Sequence, residues 1–281
     1  KGVENTVFVP KPYKLVSKDF KNEQTIIDVE GVKIGGKKVV VFAGPCSVEN
    51  REQIMEVAEK IKKAGASMIR GGAFKPRTSP KDFQGLGEEG LKLLYEAKEE
   101  TGLPIVTEIM DARDVGLLSE YADVLQVGTR NMQNYTLLKE LGKCDKPVLL
   151  KRGMWATMAE FLGAAEYIMN GGNENVILCE RGIRTFSDYS RNTLDLSIIP
   201  AIKDESHLPI VSDPSHGTGR RSLVLPMSKA SIACGADGLL IETHPDPDRA
   251  ISDADQTISL SAFSKLMEDV RQIAKVVGRE L

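Results

Sequence analysis

No stretch of these 281 residues approaches the run of about 20 apolar side chains that a membrane-crossing helix needs, and no secretory signal is visible. A membrane protein is not expected. The chain opens at Lys1 rather than Met, as a trimmed or processed form would, so the missing signal carries little weight. Four cysteines, Cys46, Cys144, Cys179 and Cys234, show no C-x-x-C spacing. A structural disulfide set is therefore not expected, and a reducing cytoplasm is the expected compartment. Positive charge is not in surplus either: 37 Lys and Arg stand against 40 Asp and Glu, for a net charge of −3. Neither nucleic acid nor an anionic membrane would be drawn to such a field. Internal repeats and low-complexity tracts are missing. No G-x-G-x-x-G follows the first strand-like run, which argues against a doubly wound dinucleotide-binding sheet.

What is present is alternation. From residue 39 onward, eight short apolar runs rich in β-branched residues recur: 39–43, 67–70, 104–108, 124–127, 147–150, 176–179, 209–212 and 238–242. Between them lie helical patterns at 51–64, 89–100, 112–121, 135–141, 158–170, 193–203, 223–234 and 260–277. In the first of these, Ile54, Val57, Ala58 and Ile61 share one face while Glu52, Glu56, Glu59 and Lys63 share the other. Gly65, Gly102, Gly142 and Gly235 follow helices, where a left-handed C-cap suits glycine. Near-continuous apolar strands separated by helices imply parallel pairing with both faces buried. Eight such units predict a (β/α)₈ barrel, and 281 residues suffice for one such core. Residues 1–38 differ. Thr25 to Gly36 alternates apolar and polar around Gly31, predicting a β-hairpin that closes the bottom of the barrel. The expected division is an arm and hairpin over 1–38 and a catalytic barrel over 39–281.

In such a barrel the reactive face lies at the C-terminal ends of the strands, and here polar residues stand at every exit. Cations recur there as Arg70, Lys75, Arg77, Arg130, Lys151 and Arg181. An isolated Lys-Pro-Arg is ordinarily a solvated loop, but its repetition at exit after exit points to an oxyanion pocket. Six cations exceed what one phosphate needs, so two phosphates, or a phosphate and a carboxylate, are implied. Glu108 and Glu180 are placed to fix these cations. A second set, Cys46, His216, Glu242, His244, Asp253 and Asp255, offers a thiolate, imidazoles and carboxylates that suit a borderline divalent ion. A lone cysteine at a strand end is more often a small buried residue, so spacing alone leaves this set open. His207, ahead of the seventh strand, falls on the opposite face and is expected to be an exposed loop residue.

Seven blocks carry a family resemblance: AGPCS at 43–47, RGGAFKPRTSPKDFQGLG at 70–87, GTRNMQN at 128–134, LLKRG at 149–153, CERGIRTF at 179–186, DPSHGTGRR at 213–221 and IETHPDP at 241–247. Over residues 13–275 the chain resembles the 3-deoxy-D-arabino-heptulosonate 7-phosphate (DAHP) synthases, in the branch related to the octulosonate phosphate synthases. The resemblance implies a metal-dependent, aldol-like condensation of phosphoenolpyruvate with erythrose 4-phosphate, the first step of the shikimate pathway. It implies one divalent ion (Mn, Fe, Co, Zn or similar) on Cys46, His216, Glu242 and Asp253, leaving His244 out. It implies phosphoenolpyruvate on Arg70, Lys75, Glu108, Arg130, Lys151 and Arg181, and the sugar phosphate on Arg77 and Thr78. Lys75, Cys46 and His216 become the catalytic candidates, with Lys75 as general acid or as a purely electrostatic contact. A homotetramer is implied, as is an upstream ferredoxin-like or chorismate-mutase module that this chain lacks. Two alternatives follow: an octulosonate 8-phosphate synthase using arabinose 5-phosphate, or a barrel docking a separate chorismate mutase. Relatives using arabinose 5-phosphate carry an Asn-Arg-Ser-Ser-like segment where this chain has Lys75-Pro76-Arg77-Thr78-Ser79.

Overall fold

The computed structural model describes residues 11–77 and 79–281. Eight parallel strands form its centre: β1 (Val40–Gly44), β2 (Met68–Arg70), β3 (Ile105–Ile109), β4 (Val124–Val127), β5 (Val148–Lys151), β6 (Val176–Glu180), β7 (Ile210–Ser212) and β8 (Gly238–His244). Each pairs with the next, and β8 returns to β1 through Gly238↔Val40 and Glu242↔Gly44, closing the barrel. The helices α1 (Arg51–Ala64), α2 (Glu88–Thr101), α3 (Val115–Tyr121), α4 (Tyr135–Leu141), α5 (Met158–Asn170), α6 (Ile198–Glu205), α7 (Arg221–Ala233) and α8 (Leu260–Val276) follow the strands in turn. None among the described residues is long and apolar enough to cross a membrane.

Two cores result from the period of two along a strand. Val41, Ile69, Ile105, Leu125, Leu150, Leu178, Ile210 and Leu239 belong to the large cluster shared with the helices. Val40, Phe42, Met68, Val106, Val124, Leu149, Ile177, Cys179, Val211 and Leu240 form a separate interior cluster. Ile27, Val29 and Ile34 of the antiparallel hairpin Ile27–Val29/Val32–Ile34 pack into that interior cluster. The expected hairpin is thus present, and its apolar side is the barrel's floor.

Several local expectations are corrected. The pattern over 112–121 opens as a 3₁₀ turn, Ala112–Asp114, because the Asp111 carboxylate accepts the Arg113 N–H and tightens the turn. The pattern over 193–203 is helical only from Ile198. Thr193 instead exchanges two 2.9 Å backbone bonds with Ile183, and Asp195 N–H donates to Glu180 Oε1 at 3.2 Å. A short helix, Pro214–Thr218, was not expected; the Asp213 side chain caps it through the His216 N–H. Gly65, Gly102 and Gly235 have positive φ, but Gly142 is right-handed at φ −65°. A Cβ at Gly142 would lie 2.9 Å from Gly171 Cα, so close packing is what calls for glycine there. His207 is buried rather than exposed: Nε2 meets Leu15 O at 2.7 Å and Nδ1 meets Thr25 Oγ1 at 2.8 Å. It pins the N-terminal segment to the barrel, together with Glu166, whose carboxylate accepts the N–H groups of Lys14, Leu15 and Val16.

Candidate active site

Two residues beyond each interior apolar position, the same inward register reaches the barrel's upper rim. Met68 is followed by Arg70, Val106 by Glu108, Val124 by Gln126, Leu149 by Lys151, Cys179 by Arg181, Val211 by Asp213 and Leu240 by Glu242. Seven strands therefore switch from apolar to polar at one level. Buried charge is costly unless it is paired, and most of this layer is. Arg70 donates to Glu242 Oε1 at 3.0 Å and to Pro45 O at 2.7 Å. Lys151 donates to Asp213 Oδ2 at 2.6 Å. Glu180 takes Arg152 at 3.0 Å and the Gly182 N–H at 2.6 Å. Glu180 was expected to fix one of the six exit cations; its partner is instead Arg152, the residue after Lys151.

Above the layer lies a cavity of about 400 Å³. Lys75, Arg77, Glu108, Arg130, Lys151, Arg181, His216 and Asp253 all line it. Of the expected anion-binding set, Arg70 lies beneath the cavity against Glu242, and Thr78 falls outside the described residues. Arg184 and Arg191 complete seven Lys or Arg linings, against three carboxylates, Asp82, Glu108 and Asp253. The excess is positive, so the cavity suits anions. Arg181 is the clearest case. Its Nε and Nη1 are buried with no partner among the described residues, and burial lowers its pKa. Two unsatisfied guanidinium donors on a side chain that lines the cavity call for an oxyanion. Glu108 reaches in because Gly128 makes room: a Cβ there would meet Glu108 Oε1 at 2.1 Å.

At the cavity's edge, Cys46, His216, Glu242 and Asp253 each offer one donor atom, and the four lie within 4.8 Å of one another. They come from the exit of β1, the short helix after β7, the end of β8 and the loop beyond it. Cys46 Sγ is 3.1 Å from Asp253 Oδ2, and His216 Nε2 is 3.3 Å from Glu242 Oε1 and 3.8 Å from Asp253 Oδ2. Donors held at about 2.0–2.3 Å from a shared ion fall at about such separations. A sulfur, an imidazole and two carboxylates also suit a borderline divalent ion, so these four residues could hold one. His216 is oriented for it. Asp213 Oδ2 sits 2.8 Å from Nδ1, which assigns the proton there and leaves Nε2 facing the other donors. Burial works to raise Asp213's pKa, but His216 and Lys151 outweigh it and hold the group well below the carboxylate range. Burial, aided by Glu242, pushes the Cys46 thiol up to about 12.

Lys75 connects the two groups. Its Nζ donates to Cys46 O at 2.8 Å and to Cys46 Sγ at 3.0 Å while the side chain lines the cavity. The wider donor list is corrected at two positions. His244 instead pairs with Glu49 at 3.4 Å, and Asp255 lines a separate groove. Sequence reading missed Asp213, although its inward register and N-cap position before Pro214 both mark it. Arg184 and Arg191 were missed because they reach the cavity from a loop, and Asn131 because it does so from a single 3₁₀ turn, where no periodicity guides the eye.

Comparison with known proteins agrees with this arrangement. Residues 20–277 match the DAHP synthetase I family. The phospho-2-dehydro-3-deoxyheptonate aldolase of Thermotoga maritima is 52% identical over 276 residues, spanning 98% of this chain and 82% of that one. The 2-dehydro-3-deoxyphosphooctonate aldolase of Syntrophobacter fumaroxidans is 32% identical, spanning 89% and 92%. Among solved structures, the T. maritima phospho-2-dehydro-3-deoxyheptonate aldolase (DAHP synthase) superposes with a TM-score of 0.95 at 52% identity, covering 99% of this chain and 81% of that one. A truncated form of 3-deoxy-D-arabino-heptulosonate 7-phosphate synthase from the same organism gives 0.90 at 47% identity, covering 96% and 99%. The chain belongs to the DAHP synthetase I family, as a carbon–carbon bond-forming enzyme.

Proposed function

We propose that this enzyme condenses phosphoenolpyruvate with erythrose 4-phosphate, giving DAHP and inorganic phosphate, as the opening step of the shikimate pathway. The observation that carries this reading is the cationic cavity beside a four-donor cluster, in a chain 52% identical to a heptonate-phosphate aldolase. Carbon 3 of phosphoenolpyruvate bonds to the aldehyde carbon of the sugar. Water adds at carbon 2, and the bond from that carbon to the phosphate oxygen breaks. Two phosphates and a carboxylate must share one pocket, where their repulsion would oppose the reaction. The Lys and Arg linings offset it and hold the reacting carbons in contact.

Arg181, Lys151, Arg130 and Lys75 take phosphoenolpyruvate, with Glu108 beside them and Arg70 securing Glu242 from below. Arg77, 25% exposed and held among the described residues by Asp82 at 3.5 Å, takes the sugar phosphate. Burial works against the charge on Lys75, but Cys46 and Glu108 raise its pKa above the ordinary value, so it carries a proton to donate. Lys75 is accordingly the general acid toward the forming hydroxyl. A divalent ion on Cys46, His216, Glu242 and Asp253 would supply Lewis acidity toward the aldehyde oxygen.

Relatives that are octulosonate-phosphate aldolases, at 32% identity, make arabinose 5-phosphate the competing substrate. A coupled assay with each aldose phosphate, with and without chelator, tests both. Turnover with erythrose 4-phosphate that chelator abolishes is expected. Equal or better use of arabinose 5-phosphate would overturn the substrate assignment.

A further inference from the structure

We infer that Arg191 is a positioning residue for the donor cluster: from the loop beyond β6 it holds Asp253 so that one carboxylate oxygen faces Cys46 and His216. The inference rests on the metal reading above. Both terminal nitrogens of Arg191 lie 3.3 Å from Asp253 Oδ1, while Oδ2 is the atom near Cys46 Sγ and His216 Nε2. The two oxygens of one carboxylate are thus divided between two tasks.

Asp253 is in need of such a hold. It is one of two described non-glycine residues with positive φ, at 53°, a region costly for a side chain with a Cβ. Among the described residues its backbone is tied on one side, where its carbonyl accepts Thr257 Oγ1 at 2.8 Å and Thr257 N–H at 3.3 Å. Free rotation of the side chain would exchange the two oxygens; a cation on one of them stops that exchange.

Arg191 is itself built in. Its N–H donates to Thr218 O at 2.9 Å, two residues past His216. Its neighbour Asn192 is buried and donates to His216 O at 3.2 Å. Reciprocal bonds between Ile183 and Thr193 close the loop at its base. Gly219, at φ +65°, clears the way, since a Cβ there would lie 2.6 Å from Arg191 Cβ. One loop therefore clasps the segments bearing two of the four donors. Arg191 also lines both the catalytic cavity and a side groove of about 850 Å³. The pair is 41% and 25% exposed, so it adds little stability, and its leverage is orientation.

The test is Co²⁺ affinity of the metal-free protein, by competition with a chromophoric chelator, for wild type, Arg191→Ala, Arg191→Lys and Cys46→Ala. The Arg191→Ala variant should bind about 10- to 100-fold more weakly. It should keep the thiolate-to-cobalt charge-transfer band and the Tm of the metal-free protein, and Arg191→Lys should recover part of the affinity. Unchanged affinity in Arg191→Ala would overturn the inference, and so would a loss matched by a lower Tm. If Cys46→Ala also kept its affinity, the metal reading itself would fail. If Cys46→Ala lost affinity while Arg191→Ala kept it, only the positioning role would fall.

Discussion

Arg181 has two buried donors with no partner among the described residues, and a bound oxyanion is the partner expected for them. Arg181→Ala should weaken phosphoenolpyruvate about tenfold to a hundredfold, the worth of a charge-assisted hydrogen bond of about 1.5–3 kcal/mol. The Tm of the ligand-free variant should be no lower than wild type, because an unpaired buried charge is lost with it. Calorimetric titration and a melt check both halves; equal weakening toward the sugar phosphate would mean the cations are divided wrongly. His207 gives a pH signature at the opposite end of the barrel. Burial holds its pKa below the ordinary 6.5. Above that value both folded and unfolded forms are neutral, and as pH falls the unfolded chain takes the proton first. The stability it contributes is therefore present above about pH 6.5 and lost below it. A His207→Gln variant should lose Tm at pH 7.5 and show a smaller deficit at pH 5. Residue type at the strand exits was legible, since a charge that ends an apolar strand must leave the core for a rim where it finds a partner, a ligand or water. His207 was not legible, because only the returning N-terminal segment buries it.

At the scale of elements, all eight strands were readable, because β-branched runs of four or five residues buried on both faces leave little ambiguity. The first, fourth and fifth helices match their patterns, the second, seventh and eighth shift by a residue or two at frayed ends, and the third gives up its first turn to a 3₁₀ turn. The sixth failed for a specific reason: Thr193 and Asp195 bond to Ile183 and Glu180, tertiary partners that outbid the local helical pattern. The hairpin gives the sharpest test of the floor. Ile34 is wholly buried among interior residues of the barrel, so Ile34→Ala should cost about 2–5 kcal/mol. The site stands at the other end of the strands, so KM for phosphoenolpyruvate should hold while the denaturant midpoint falls. A large KM change would show the floor to be coupled to the rim.

The donor cluster exists only in the closed molecule. Cys46 and Asp253 are 207 positions apart in sequence, and pairing of β8 with β1 brings together the segments that follow these strands. Chelation should abolish turnover, and several divalent ions should restore it, because a mixed sulfur, nitrogen and oxygen site is not exclusive. Activity persisting in a metal-free Cys46→Ala variant would refute this. Sugar length should also be decided across the whole cavity. The donor cluster lies at the cavity's edge, and Arg77, which also lines the cavity, is spaced from Lys75 by Pro76, whose ring fixes the backbone. A sugar longer by one carbon must give up a phosphate contact or shift its aldehyde, costing about 1.5 kcal/mol, roughly tenfold in kcat/KM. Arg77→Ala should raise KM for erythrose 4-phosphate and narrow that gap, leaving phosphoenolpyruvate nearly untouched. Initial-rate kinetics with both sugars read this directly, and an unchanged gap would locate the ruler elsewhere.

Strand count, parallel pairing and the chemistry at each exit follow from the sequence alone, because a period of two and buried β-branched residues are local properties of the chain. Which exits touch follows from closure. Spacing left six residues open as metal donors; the fold gathers Cys46, His216, Glu242 and Asp253 and turns His244 to Glu49. Asp213 behind His216 and Arg191 behind Asp253 were likewise settled by tertiary structure. Hydrogen-bond geometry between distant segments depends on how the strands tilt and the loops return, and residue order by itself carries no record of either.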